Sequence, residues 1–183
     1  MNNIRNKIRY LLGDIEISGI DTFTYGSSSI FTLTEPNVNS VIRVRRNDSV
    51  SGVTFVYNAS TNKVTVSSSL TAGDTVEIDY TYYPNYSTTE LNAYVQAALV
   101  HIGVHNYKTF EYDSTDDAIY PEPEAREENL IASITAVIMY PNNRTIRLPD
   151  ITISVPNDLS THYKISKIIS GFKHNVHGIL EVI

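Results

Sequence analysis

One stretch, from Ser87 to His105, constrains the fold of this chain more than any other. Its apolar side chains recur at helical spacing and cover most of the circumference of the helix that they predict. Ser87 and Glu90 have the spacing of a capping box, in which two side chains satisfy backbone amides of the first turn. A helix this apolar must be covered on several sides. We therefore expect it at the centre of a helical core.

Upstream of this helix, between about Ile30 and Tyr83, the hydrophobic period changes to two. Short runs of alternating apolar and polar residues are separated by Gly, Asn, Asp and Pro residues that favour tight turns. This pattern predicts a meander of four or five antiparallel strands with one buried and one solvated face. Such a length, roughly 55 residues, is near the lower limit for an independent core. We interpret it as a module inserted between two helices.

Further helices are predicted on both sides of this module. The first, Ile4 to Gly13, carries one apolar stripe and ends in a glycine suited to a C-terminal cap. It must dock on another element, because isolated helices below about 12 residues are marginal in water. Another helix is predicted after Pro121 and Pro123 as far as Tyr140, and a last one begins near Asp158.

The predicted fold class is α+β, a small helical bundle with an inserted antiparallel β-meander or barrel-like module. We assign residues 1–27 and 84–183 to the helical core and residues 28–83 to the module. Residues 106–120 are predicted to be irregular and acidic, and residues 146–155 to form an extended arm or edge strand. The N-terminus is too polar for a signal peptide, and no apolar run approaches the roughly 20 residues that cross a bilayer. We expect a cytoplasmic protein that does not enter membranes.

Candidate catalytic and metal-binding residues are few. His101 and His105 share one helix face, but zinc needs a third ligand, and a zinc protease would carry glutamate where Ile102 stands. The acidic run from Glu111 to Glu128 lacks the alternating ligands and the central glycine of an EF-hand. The chain has no cysteine, which excludes disulfides, thiolate metal sites and cysteine nucleophiles. We predict no enzyme activity, no cofactor and no metal.

Charge and aromatic content indicate the kind of partner. A net charge of −6 argues against a dedicated nucleic-acid binder, whose surface is usually basic. Arg43, Arg45 and Arg46 could contact phosphates, but a solvated sheet face commonly carries arginine, and we favour that interpretation. Thirteen tyrosines favour protein interfaces, because tyrosine gives a large, stiff contact area with one polar group. The tyrosines predicted to form a contact surface are Tyr107, Tyr112 and Tyr120.

The order of the elements resembles that of the head–tail connector proteins of tailed bacteriophages, also called adaptor or neck proteins. The residues that carry the resemblance are Ile4–Gly13, the hairpin ending in Ala72-Gly-Asp-Thr-Val-Glu-Ile-Asp-Tyr, the Ser87–His105 helix and Glu124–Tyr140. The resemblance implies a structural virion protein, typically a dodecameric ring beneath the portal protein. Such a ring extends the DNA channel without specific DNA binding, and its lower face binds tail or tail-fibre proteins.

In connector proteins the C-terminal segment commonly docks onto the portal, and here that segment runs from about Asp158 to Ile183. The resemblance thus implies subunit or portal contacts at Phe172, Lys173, His174, His177, Ile179 and Leu180. One alternative is a β-rich tail or fibre module that recognises a glycan or another virion subunit, with tyrosines as stacking platforms. Another is a small hydrolase or metal enzyme, which only His101 and His105 support.

Overall fold

The computed structural model describes residues 1–105, 107–141, 145–148, 151–154 and 160–174, with the side chains of 145–148, 151–154 and 174 left aside. The chain divides into two compact units. We call Met1–Asp14 with Thr88–Ile183 the helical unit, and Ile15–Ser87 the β-unit. The predicted α+β class is confirmed. The β-unit, however, starts at Ile15 rather than at residue 28, and it ends at Ser87 rather than at residue 83.

The β-unit is built from six strands: β1 (Ile17–Thr24), β2 (Ile30–Thr32), β3 (Val38–Arg46), β4 (Phe55–Asn58), β5 (Lys63–Val66) and β6 (Thr75–Tyr82). They form two three-stranded antiparallel sheets, in the orders β1-β6-β3 and β2-β5-β4. The predicted meander is wrong, because the first and last strands pair and most neighbours are not consecutive in the chain. Within residues 15–87 no closed barrel forms.

The core of the β-unit follows from the alternation of its strands. Side chains from both sheets meet in one buried cluster: Phe31, Leu33, Val44, Val64, Val66, Val76, Ile78 and Tyr80. Two register shifts interrupt the pairing of β3 with β6, whereas β1 pairs with β6 without a break. The strand β1 was not predicted, because its apolar residues are spread among Ser, Gly, Asp and Thr.

Gly19 on β1 lies directly opposite Tyr80 on β6. A Cβ atom at Gly19 would stand only 2.7 Å from the Tyr80 ring, so the ring lies across the space that a side chain would fill. Burial, and then the nearby carboxylate of Asp21, raise the pKa of Tyr80 to about 12. Asp21 also accepts a hydrogen bond from the backbone N–H of Thr34 at 2.7 Å, which ties β1 to the segment after β2.

The described part of the helical unit contains four helices: α1 (Asn2–Leu12), α2 (Thr88–Val104), α3 (Ala125–Met139) and α4 (Thr161–His174). It also contains two antiparallel hairpins, β7 (Glu111–Asp113) with β8 (Ala118–Tyr120), and β9 (Thr145–Leu148) with β10 (Ile151–Ser154). We predicted that residues 106–120 would be irregular, but the first hairpin lies within this range. The second replaces the single arm predicted over residues 146–155. The predicted cap at Gly13 is confirmed by its left-handed φ of 69°.

The centre of the helical unit is α3, and the prediction that α2 would occupy it is wrong. Helices α1, α2 and α4 all pack on α3, whose residues from Leu130 to Val137 are buried in succession. A reciprocal capping box between Glu124 and Glu127 begins α3. By contrast, α2 buries Leu91, Val95, Ala98, Leu99 and Ile102 on one side. Of its other apolar residues, Ala97 is half-buried, whereas Ala93, Tyr94, Val100 and Val104 are exposed.

Candidate interaction surface

The β7–β8 hairpin is held on the helices by Arg5 of α1. The guanidinium group of Arg5 donates hydrogen bonds to Asp117 Oδ1 at 2.7 Å, to Asn92 Oδ1 at 3.0 Å and to Asn2 Oδ1 at 2.6 Å. The Arg5 side chain is 9% exposed, so most of its charge is compensated inside the unit. One arginine thereby joins α1, α2 and the hairpin. Sequence patterns could not have indicated this contact, because its partners lie far apart in the chain.

Tyr112, which we predicted on a contact surface, belongs to the same network. Its hydroxyl accepts a hydrogen bond from Asn92 Nδ2 at 2.9 Å and donates one to Asp117 at 3.1 Å. Burial, and then the hydrogen bond to Asp117, raise the pKa of Tyr112. The hydrogen bond from Arg5 is the largest cause that lowers the pKa of Asp117. Tyr112 therefore has a structural role within the unit.

Tyr120 does lie on the surface. Its side chain is 50% exposed, and its hydroxyl lies 3.3 Å from Asp116 Oδ2 on the same hairpin. The nearby carboxylate of Asp116 raises the pKa of Tyr120. The tyrosine is available for contact with another molecule.

Tyr107 and Phe172 come together at the packing of α3 with α4. Their rings meet edge to face with centroids 5.5 Å apart, and the Arg126 guanidinium group lies 4.2 Å from the centre of the Phe172 ring. Arg126 also donates a hydrogen bond to the backbone carbonyl of Phe172. Phe172 is only 3% exposed and belongs to the core of the helical unit. Burial raises the pKa of Tyr107. Within this chain both rings serve to dock α4.

The end of α2 meets α4 at a group of histidines. The rings of His105 and His162 lie 5.4 Å apart between centroids, and Lys173 Nζ donates a hydrogen bond to the His105 carbonyl oxygen at 2.6 Å. His105 Nε2 is buried and has no hydrogen-bond partner among the described residues. Burial, followed by the charges of His162, His101 and Lys173, lowers the pKa of His105. His162 was missed at the sequence level because it lies on a different helix.

Metal binding was one alternative for His101 and His105. In the part of the chain that the structure describes, no three His, Asp or Glu side chains are placed to hold a metal ion. Even with His162 near His105, His101 and His105 have no complete set of three metal ligands among the described residues. Of the other predicted contact residues, His177, Ile179 and Leu180 lie outside the described residues, as does the side chain of His174.

The arginines of β3 are engaged with carboxylates of β6. Arg43 Nε donates a hydrogen bond to Asp79, and Arg45 lies 3.1 Å from Asp79 and 3.3 Å from Glu77. Arg46 donates a hydrogen bond to the Ser69 carbonyl oxygen at 2.7 Å. This pairing agrees with the solvated sheet face that we favoured over a phosphate-binding patch.

The outward side of α2 forms a narrow apolar seam, which we call the α2 face: Ala93, Ala97, Val100 and Val104. Spacings of four, three and four residues align them along the helix, as in the core positions of a coiled coil. Val100 and Val104 are each 66% exposed. From Leu91 to Val104 the helix has no Asp, Glu, Lys or Arg, so its outward side lacks the charges usual on a surface helix.

A groove of about 500 Å³ runs beside the α2 face, between α2 and the segment leading into β7. The helix lines it with Gln96, Leu99, Val100 and Gly103. The other side of the groove is formed by Thr109, Phe110, Glu111 and Tyr112, so its lining is part apolar and part polar. A Cβ atom at Gly103 would meet no atom within 4 Å. The fold therefore leaves open space beside the glycine.

Comparison with known protein families gives no matching family model, and comparison with curated proteins gives no match either. Among the described residues, no helix combines the length and the apolar character needed to cross a bilayer.

Proposed function

We propose that this chain is a structural virion protein, a head–tail connector that assembles into a ring of identical subunits beneath a portal protein. It is assembled in the host cytoplasm, extends the DNA channel and links the head to tail or tail-fibre proteins. The observation that carries the proposal is the position of α2. Both sides of this helix carry apolar residues, but among the described residues of the chain only one side is buried, and Val100 and Val104 on the other side are exposed. Subunits of permanent assemblies have apolar surfaces of this kind, because their interfaces resemble a protein core.

The organisation of the two units supports the same proposal. A compact β-unit interrupts the helical unit between α1 and α2, which is the element order that resembles the connector proteins. The role that follows is scaffolding rather than catalysis.

Charge supports passage of DNA without retention. The chain carries a net charge of −6, and Arg43 and Arg45 are paired with Asp79 and Glu77. Phosphate binding depends on cations that are free to displace counterions. We expect no retention of double-stranded DNA in fluorescence anisotropy at physiological salt.

The proposal is tested by the mass of the purified protein, alone and with a portal complex. Light scattering after size exclusion should give a species near twelve times the chain mass of 20.5 kDa, or a monomer that assembles on the portal. Electron microscopy should show rings. A protein that stays monomeric and binds no portal complex at micromolar concentration would contradict the proposal.

A binding module of a tail or fibre is the second candidate, favoured by the β-unit. This unit has its own core and exposes large apolar side chains on its strands: Ile20, Ile42 and Val56. Binding of the full chain to a glycan array, with no ring in light scattering, would favour this candidate over the connector.

A further inference from the structure

We propose that the contact between the end of α2 and α4 is a pH-sensitive latch, which holds α4 in place at neutral pH and releases it in mildly acidic solution. We call its four residues the α4 latch: His101 in the last turn of α2, His105 directly after it, and His162 and Lys173 on α4. The inference rests on these side chains and does not depend on the connector proposal.

His105 is the residue of the α4 latch on which protonation acts. Its Nε2 atom is buried and has no hydrogen-bond partner among the described residues. The imidazolium form carries an N–H donor at both ring nitrogens. Protonated His105 would therefore bury a charged N–H group without an acceptor, whereas water accepts that hydrogen bond once α4 has left.

The groups that face His105 are all basic. On the side of α4, the His162 ring lies 5.4 Å from the His105 ring between centroids, and Lys173 Nζ donates a hydrogen bond to the His105 carbonyl oxygen at 2.6 Å. On the side of α2, the charge of His101 also acts on His105. Acidification therefore gathers like charges beside the Lys173 ammonium group, and their repulsion opposes the docking of α4.

Docking of α4 and protonation of His105 thus oppose each other. Burial, and then the charges of His162, His101 and Lys173, hold the pKa of His105 below its ordinary value while α4 is docked. When α4 leaves, that pKa returns toward about 6.5, so the open form gains the proton first as the pH falls. The docked form is therefore fully favoured above about pH 6.5 and becomes progressively less favoured below it.

Helix α4 is an element that a change of this size can release. It packs mainly on one helix, α3, through a single buried stripe: Ile165, Ile168, Ile169 and Phe172. Elements with few packed neighbours open at a lower free energy than the centre of a fold does. Opening would expose Phe172, a predicted portal contact that is 3% exposed while α4 is docked. In a connector, the α4 latch would then decide when this ring becomes available.

The first test measures the separation of α2 and α4 with two spin labels on introduced thiols, which the absence of cysteine allows. Val100→Cys and Lys167→Cys place the labels at exposed positions of the two helices. Double electron–electron resonance should give one narrow distance at pH 7.5, and the fraction with a broad distribution should rise about tenfold at pH 5. A distance distribution that is the same at both pH values would overturn the latch.

The second test places substitutions of the α4 latch in the labelled chain. His105→Gln cannot gain a proton and should keep the narrow distance at pH 5, and His162→Gln should move the midpoint of release to lower pH. The matched control is Tyr163→Gln, an exposed neighbour on α4 that should leave the midpoint unchanged. Release that persists in His105→Gln would overturn the latch. If His105→Gln does not dock at pH 7.5, an unchanged midpoint in His162→Gln would overturn it instead.

Hydrogen exchange at pH 5 distinguishes release of α4 from unfolding of the helical unit. After correction for the intrinsic exchange rate, amides of α4 should lose protection about tenfold, whereas those of α1 and α3 should keep it. Equal loss of protection in α1, α3 and α4 would contradict a local latch. No portal complex takes part in these tests, so their failure would leave the connector proposal standing.

Discussion

Replacing Gly19 with alanine should destabilise the β-unit by an amount that the structure allows us to estimate. The added methyl group would lie 2.7 Å from Cε2 and 2.8 Å from Cζ of the Tyr80 ring, closer than carbon atoms pack. Tyr80 is 2% exposed, and Asp21 interacts with its hydroxyl, so the ring has little freedom to withdraw. Either the ring or the pairing of β1 with β6 must shift.

Overpacking of this kind costs about 1–3 kcal/mol. Alanine also restricts the unfolded chain more than glycine does, which offsets about 0.4–1 kcal/mol of that cost. We expect a net loss of about 1–2 kcal/mol in the free energy of unfolding of the β-unit. For a unit of this size the melting temperature should fall by about 5–15 °C.

Urea unfolding followed by circular dichroism, with hydrogen exchange on β1 and β6, measures this loss. Gly26→Ala is the matched control, because a Cβ atom there meets nothing within 4 Å, and it should change stability by no more than about 0.5 kcal/mol. Tyr80→Val should relieve the clash, so the double variant Gly19→Ala/Tyr80→Val should be more stable than the sum of the single changes predicts. Additive effects, or a Gly19→Ala variant as stable as the control, would refute the reasoning.

Three further predictions concern the helical unit. Arg5→Met removes charged hydrogen bonds and should lower the free energy of unfolding of the helical unit by about 2 kcal/mol. This figure is kept small because the Asp117 side chain is 44% exposed. Hydrogen exchange should speed up first in the β7–β8 hairpin. Burial and the neighbouring His162 depress the pKa of His105 in the folded state, so the unfolded chain gains the proton first as the pH falls. Stability should therefore be full above about pH 6.5 and decline below it, and His105→Gln should flatten that decline in thermal unfolding between pH 7.5 and 5. Ile131→Ala should lower the free energy of unfolding in urea by about 2–5 kcal/mol, because truncating this fully buried side chain leaves a cavity in the core around α3. Val104→Ala, at an exposed position, should lower it far less.

Sequence patterns predicted the elements that depend on local spacing. The helices near Ile4–Gly13 and Ser87–His105, the β-module and the Gly13 cap all follow from periodicity or backbone preference. Sequence patterns did not predict the features of the fold that depend on residues distant in the chain. The pairing of β1 with β6 joins the two ends of the module, and no local pattern indicates it.

The α2 helix shows why burial was harder to predict than helix formation. An apolar circumference indicates that a helix needs cover, but it does not state whether the cover comes from the same chain. Here α3 takes the central place, and Val100 and Val104 remain exposed. The predicted contact residues likewise differ in whether they pack within the same chain or remain exposed. Tyr120 is exposed, so its predicted contact stays a prediction, whereas Tyr112 and Phe172 find partners within the helical unit.

The pairing of β1 with β6 also affects the folding of the helices that flank the insertion. Ile17 lies opposite Tyr82, so the first strand of the β-unit begins about one strand spacing, roughly 5 Å, from where its last strand ends. Once folded, the insertion acts as a short connection between α1 and α2 rather than as a flexible loop of about 70 residues. The difference in loop-closure entropy between about 70 and about 10 residues is roughly 2 kcal/mol. The β-unit thus stabilises the docking of α1 simply by being folded, and any change that unfolds it also weakens the helical unit.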